Sequence, residues 1–168
     1  MNRNKRLMIA LVSITLLIAC TTQNNTLEKP NILKFGTSMQ EMEAHLMPLS
    51  DSLSVRLDEP LQLPTAKKSQ AQLDVYGFEF GGKKRTLELI FADDALDIVW
   101  ILIEKDEAQK FIHELKEKYG APTHITPEAT FFLNHGVAVK NAPHEVLFIS
   151  NRLKEPYGQF LSMQSAPK

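Results

Sequence analysis

His113 and Glu114 stand side by side in AQKFIHELKEKY, the pair with which zinc proteases begin a metal site. That site needs His-Glu-x-x-His, so that two imidazoles one helical turn apart face one ion while the glutamate acts as base. Position 117 is Glu117, so the second ligand is absent and the pair reads as the solvated edge of an amphipathic helix. His45, His124, His135 and His144 show no ligand spacing; His135 and His144 fall in predicted turns, where weak surface metal binding is the most they could offer. Asp93, Asp94 and Asp97 put three carboxylates into five residues. A calcium loop of the EF-hand kind also needs alternating oxygens, a central glycine and a distant glutamate, and a polar turn accounts for these acids without one. No metal and no cofactor is expected.

Nucleophiles and phosphate cradles fare no better. There is no Gly-x-Ser-x-Gly elbow, and Gly81-Gly82-Lys83-Lys84 lacks the spacing and following helix of a phosphate loop. What that stretch does present is Lys83, Lys84 and Arg85 at a hairpin tip. Such cations either guard a sheet edge or meet an anionic lipid surface. Trp100, amid Ile98, Ile101 and Ile103, reads as a core residue, or as a binding platform if its side of the strand is open. Lys83, Lys84, Arg85 and Trp100 are therefore the candidate interaction surface, and no catalytic residue is identified. Catalysis would require two of Glu79, Glu88, Asp93, Asp94 and Asp97 to converge in a cleft with separated pKa values.

The single cysteine, Cys20, closes an apolar run. Arg3, Lys5 and Arg6 precede LMIALVSITLLIA, thirteen residues with only Ser13 and Thr15 polar, the layout of a secretory signal peptide. A helix of that length rises about 20 Å, short of the ~30 Å hydrocarbon core. Leu17-Ile18-Ala19-Cys20 resembles the lipobox of bacterial lipoproteins. The resemblance implies cleavage before Cys20 and acylation of that residue, hence membrane lipid as a partner. In enteric-type bacteria an aspartate after the cysteine retains such proteins in the inner membrane; Thr21 stands here, which implies the outer membrane, facing the periplasm. A different lipid-anchored envelope location is the alternative. Stable anchoring takes two or more acyl chains, each buried CH₂ contributing about 0.8 kcal/mol.

The expected organisation is a signal over residues 1–19, lipidated cysteine and flexible tether over 20–30, an α+β domain over 31–153, and an unassigned tail over 154–168. Without the three cations of the signal, 16 basic residues face 20 acidic ones, which argues against nonspecific nucleic-acid binding. With its thiol acylated, the fold must rest on packing alone.

The elements that would position the candidate residues are legible in the alternation of apolar residues. Ser38-x-x-Glu41 fits a capping box, Met39, Met42 and Leu46 share a helical face, and Pro48 ends it. Leu53, Val55 and Leu57 alternate with polar residues as in a half-buried strand. Glu59 to Gln70 reads as a loop. Gly81-Gly82 predicts a hairpin between Phe78/Phe80 and Leu87/Leu89/Phe91, with a bulge at Gly77 and a second turn at Ala92 to Ala95. Leu96 to Ile103, apolar on both faces except for Asp97, predicts a central strand. Ala108, Phe111, Ile112, Leu115 and Tyr119 predict a second helix, capped by Asp106 and stopped by Gly120 and Pro122. Strands follow at Ala129 to Leu133, Val137 to Lys140 and Glu145 to Ser150.

The expected class is α+β, one antiparallel sheet with helices on one face, built from two tandem α-then-β-meander units. GTSMQEMEAHL followed by a meander resembles small periplasmic lipoproteins of the SmpA/BamE type, and the tandem layout resembles the β-lactamase inhibitor protein fold. No functional residues carry over. The sequence thus points to a membrane-anchored, non-catalytic binding, adaptor or inhibitor module with an envelope protein partner. An envelope hydrolase using paired carboxylates, or a lipid-binding domain, are the alternatives.

Overall fold

The computed structural model describes residues 27–58 and 60–164. The expected signal, Cys20 and the tether through Thr26 lie outside the described residues. Leu27 is already buried in the core, so the packed part begins before Asn31. No helix among the described residues is long and apolar enough to cross a membrane.

Helix α1 (Met39–Leu46) opens with the Ser38 half of the expected capping box, Ser38 Oγ accepting from the Glu41 N–H at 3.3 Å. Asp94 Oδ1 accepts the Met39 N–H from 55 residues away, so a strand turn supplies a second cap. Met42 and Leu46 are buried, and Pro48 sits in a closing 3₁₀ turn, Met47–Leu49. Four strands follow: β1 (Ser52–Leu57), β2 (Gln70–Phe80), β3 (Lys83–Ala92) and β4 (Ala95–Leu102). Helix α2 (Ala108–Tyr119) leads into β5 (His124–Ile125), β6 (Ala129–Phe132), β7 (Val137–Asn141) and β8 (His144–Ile149).

The eight strands of the described residues form one antiparallel sheet in the order β1-β2-β3-β4-β8-β7-β6-β5. Each meander keeps its own order, and β4 pairs with β8 at the seam, which makes the expected central strand central. The β2–β3 hairpin turns at Gly81-Gly82, and the β3–β4 turn carries Asp93 and Asp94 at φ 51° and 61°, the left-handed conformation a two-residue hairpin turn needs. The register slips between Tyr76 and Phe78, at the expected Gly77 bulge. Gly77 has φ 77°, and a Cβ there would lie 2.1 Å from Asp51 Oδ2, so glycine is demanded twice over.

Alternation along the strands sorts the core into two layers. Val75, Leu87, Leu89, Val99, Ile101, Val146 and Phe148 meet Met42 and Leu46 of α1 and Phe111, Ile112 and Leu115 of α2. Ile90, Ile98, Leu147 and Ile149 point the other way and meet Leu153 and Leu161. Those two leucines belong to α3 (Asn151–Gln164), which starts within the expected domain and runs through most of the tail left unassigned from residue 154. Helices therefore cover both faces of the sheet rather than one. Pro156 lies inside α3 and removes a single N–H from its ladder. Leu153, Tyr157 and Leu161, at i, i+4 and i+8, still line the sheet side. Capping of α2 also differs from expectation. Glu104 and Glu107, rather than Asp106, form a reciprocal capping box around the 3₁₀ turn Lys105–Glu107 that opens the helix.

Candidate functional site

Helix α3 and the loop before β2 do not cover all of their sheet face. Along one row of that face the register sets Asp74 of β2 beside Glu88 of β3, Glu88 beside Trp100 of β4, and Trp100 beside Leu147 of β8. The neighbouring row sets Leu102 beside Glu145 and Glu145 beside Lys140. Tyr76, Glu88, Trp100, Leu102 and Lys140 all keep part of their surface in solvent, while Asp74 and Glu145 are buried.

The charges on this face are mostly paired. Arg56 of β1 holds Asp74 bidentately at 2.9 and 3.0 Å, and Gln72 Nε2 donates to the same carboxylate at 2.6 Å. Lys140 Nζ lies 2.8 Å from Glu145 Oε2 and 4.6 Å from the Trp100 ring centroid, a cation–π contact that leaves part of the indole open. Glu88 makes no ion pair within 4 Å among the described residues. Burial pushes its carboxyl above the ordinary range, and Glu145 and Asp74 push the same way; Arg56 and a hydrogen bond from Gln72 oppose them. The patch thus offers an aromatic ring, two fixed ion pairs and one carboxyl short of a counter-charge.

Of the residues singled out from sequence, Trp100 stands at the centre of this patch. The hairpin cations do not. Arg85 turns inward with its side chain 4% exposed and grips Glu107 at 2.7 and 2.8 Å. Lys83 reaches the same carboxylate at 3.0 Å, and Lys84 pairs with Asp51 at 2.6 Å. They tie the hairpin to the start of α2 and to the start of β1, and form no free basic patch.

The five acids grouped in sequence are likewise dispersed. Asp93 accepts the N–H groups of Lys67, Lys68 and Ser69; those of Ser69 and Lys68 do most to hold its carboxyl below the usual range. Asp94 caps α1, and Glu79 is exposed on the hairpin. Asp97, 1% exposed, accepts from Ser150 Oγ at 2.6 Å and from Arg152 at 2.6 and 3.1 Å, fastening the start of α3. Glu88 alone meets other carboxylates, and these are Asp74 and Glu145, which sequence reading had not joined to it. Strand alternation could have placed Asp74 on the Tyr76 face; the β4–β8 pairing that brings in Glu145 has no local signal.

Two of the histidines have side-chain partners of a structural kind. His113 pairs with Glu117 at 3.2 Å on the exposed side of α2, and His135 stacks on Tyr119 with centroids 3.9 Å apart. Among the described residues, no group of three or more His, Cys, Asp or Glu side chains is arranged to hold a metal ion.

No curated protein and no solved structure matches the chain. A family model described as Uncharacterised protein does match, over residues 31–151. That span contains α1, both meanders and α2, and the chain belongs to this family.

Proposed function

We propose that this chain is a lipid-anchored envelope lipoprotein whose domain is a binding module, docking a protein partner on the open part of the sheet around Trp100. The observation that carries the reading is the row Asp74–Glu88–Trp100, left partly in solvent beside the Lys140–Glu145 pair. Buried aromatic anchors ringed by polar groups are what protein interfaces use. Glu88 adds a chemical preference: a partner lysine or arginine set beside it would supply the missing counter-charge.

The tandem-unit reading, with its likeness to SmpA/BamE-type and β-lactamase-inhibitor-like domains, belongs to the same proposal. Its support is the element order, a helix and four strands given twice, with the two meanders meeting at β4 and β8.

Envelope crosslinking compares the native chain with Trp100→Ala and Glu88→Lys. The expected result is one partner recovered with the native chain and reduced roughly tenfold or more with either variant, as for an interface hot spot. Equal recovery from all three chains would sink the docking face.

The anchor rests on Arg3, Lys5, Arg6 and the Leu17-Ile18-Ala19-Cys20 run. Since Leu27 is buried in the core, only residues 21–26 separate Cys20 from the domain, a reach of at most about 25 Å. The domain would work close to the lipid surface. Palmitate labelling in cells is expected for the native chain and absent from Cys20→Ser; equal label in both removes the anchor.

A Glu88 carboxyl pushed above the ordinary range by burial, beside Asp74, also supports a second reading, acid–base chemistry of the paired-carboxylate kind. It is distinguished by Glu88→Gln, which would abolish turnover while leaving partner recovery intact.

A further inference from the structure

We infer that β1 pairs with β1 of a second copy of this chain, joining two sheets edge to edge about a twofold axis at Val55. β1 ends the sheet. Its register sets Ser54 opposite Asp74 and Arg56 opposite Gln72, and the Asp58 N–H bonds to Gln70 O. In an antiparallel ladder the main-chain groups of alternate residues face the partner. Ser52, Ser54 and Arg56 therefore spend theirs on β2, and Leu53, Val55 and Leu57 direct theirs outward.

The side chains of those same three residues are apolar. They lie on the α1/α2 face, opposite Val75, Leu73 and Ala71. Leu53 is half-buried, but Val55 is 44% and Leu57 80% exposed. Soluble sheets ordinarily blunt such an edge with lysine, proline, a bulge or a very short strand. β1 runs six residues, SLSVRL, with no lysine or proline, and its one charge, Arg56, is drawn across the opposite face by Asp74. The other edge, β5, is only two residues long and is blunted in the ordinary way.

The strand is complementary to itself. Antiparallel pairing centred on Val55 sets Leu53 against Leu57 of the second copy, Ser54 against Arg56, and Ser52 against Asp58. Every outward-facing main-chain group then meets another, for about six hydrogen bonds. Leu53, Val55 and Leu57 of both chains form one apolar stripe, and no like charges stand opposite within the strand. A one-residue slip would flip that stripe to the wrong face. A twofold pairing uses both β1 edges, and β5 is too short to extend the array, so assembly closes at the dimer. One strand pair buries less than the roughly 1,200 Å² of a standard interface, so this is a weak, reversible dimer. It uses neither Trp100 nor Glu88 and meets the patch around them only at Arg56, so either proposal can fail alone.

Cysteine crosslinking of the full chain carrying Cys20→Ser, so that the introduced thiol is the only one, reads the register. Val55→Cys is expected to give a disulfide-linked dimer on mild oxidation, since Cα atoms of such a pair lie about 5.5 Å apart. Leu53→Cys and Leu57→Cys should each stay monomeric alone, their own copies being about 13 Å out of register, and should crosslink when mixed. In sedimentation at rising concentration, Val55→Lys should remain a monomer while the Cys20→Ser parent dimerises. The inference is overturned if Val55→Cys crosslinks no better than an exposed α2 control, Lys116→Cys. It is also overturned if Leu53→Cys alone matches Val55→Cys, or if the thiol at 55 captures only other proteins.

Discussion

Replacing Glu107 with alanine is expected to cost about 3–5 kcal/mol of folding stability, because it strands the buried Arg85 guanidinium without a counter-charge. Arg85 comes from β3 and Glu107 from the turn that opens α2, and their bidentate pair is the main polar tie between them. The same carboxylate accepts the Glu104 N–H in the capping box and pairs with Lys83, so one substitution undoes three contacts. Chemical denaturation should show the loss, with the thermal midpoint falling by roughly 10 °C. Replacing both partners by apolar residues, Arg85→Met with Glu107→Leu, should recover most of the stability, since neither charge is then left in the interior.

The pair also has a pH signature. Arg85 first, then the Glu104 N–H and Lys83, hold the Glu107 carboxyl down at about 2, against 4.5 when unfolded, with burial opposing them. A depressed carboxylate stabilises the fold fully above the unfolded value and loses that contribution as pH falls through the folded one. The gap in stability between native chain and Glu107→Ala should therefore narrow between about pH 4.5 and pH 2. A gap constant across that window would mean that the pair contributes by packing alone.

Leu153→Ala is expected to cost about 2–5 kcal/mol, the range for a fully buried leucine truncated to alanine. Leu153 has no solvent exposure and inserts between α3 and the apolar row Ile98, Leu147 and Ile149. Its loss opens a cavity under α3, the helix that packs on this face. The midpoint in urea should fall with the slope nearly unchanged, as for a core mutation in a cooperative domain. A cost below about 0.5 kcal/mol, the level of a surface substitution, would mean that α3 is an appendage and not a layer of the core.

Much of the first meander was legible because its signals are local. Gly77 and Gly81-Gly82 carry turn and bulge chemistry in their own backbone freedom, and Asp93-Asp94 fits a left-handed turn at any place in a fold. Apolar alternation gave β2 and β3, a run apolar on both faces gave β4, and the helical spacing of Phe111, Ile112 and Leu115 gave α2. The two-residue β5 passed unnoticed because it holds too few residues to show a period. α3 was missed for a different reason. Pro156 and Gly158 weaken helix propensity, which outweighed the Leu153, Tyr157, Leu161 spacing until a sheet face was available to bury it.

The amino-acid sequence by itself determined the α+β class, the strand boundaries around glycine and aspartate turns, and the lone cysteine behind an apolar run. These depend on a few neighbouring residues. Only the tertiary structure decided that Arg85 faces inward to Glu107, that Asp97 anchors α3, and that Glu88 keeps company with Asp74 and Glu145. The last depends on the β4–β8 seam, which joins residues about fifty positions apart through the pairing of main-chain groups and the burial of both sheet faces. Main-chain groups are the same in every residue. The choice of which strands share them is settled by packing of the whole domain, and the same packing leaves Trp100 half in solvent and β1 with an unpaired edge.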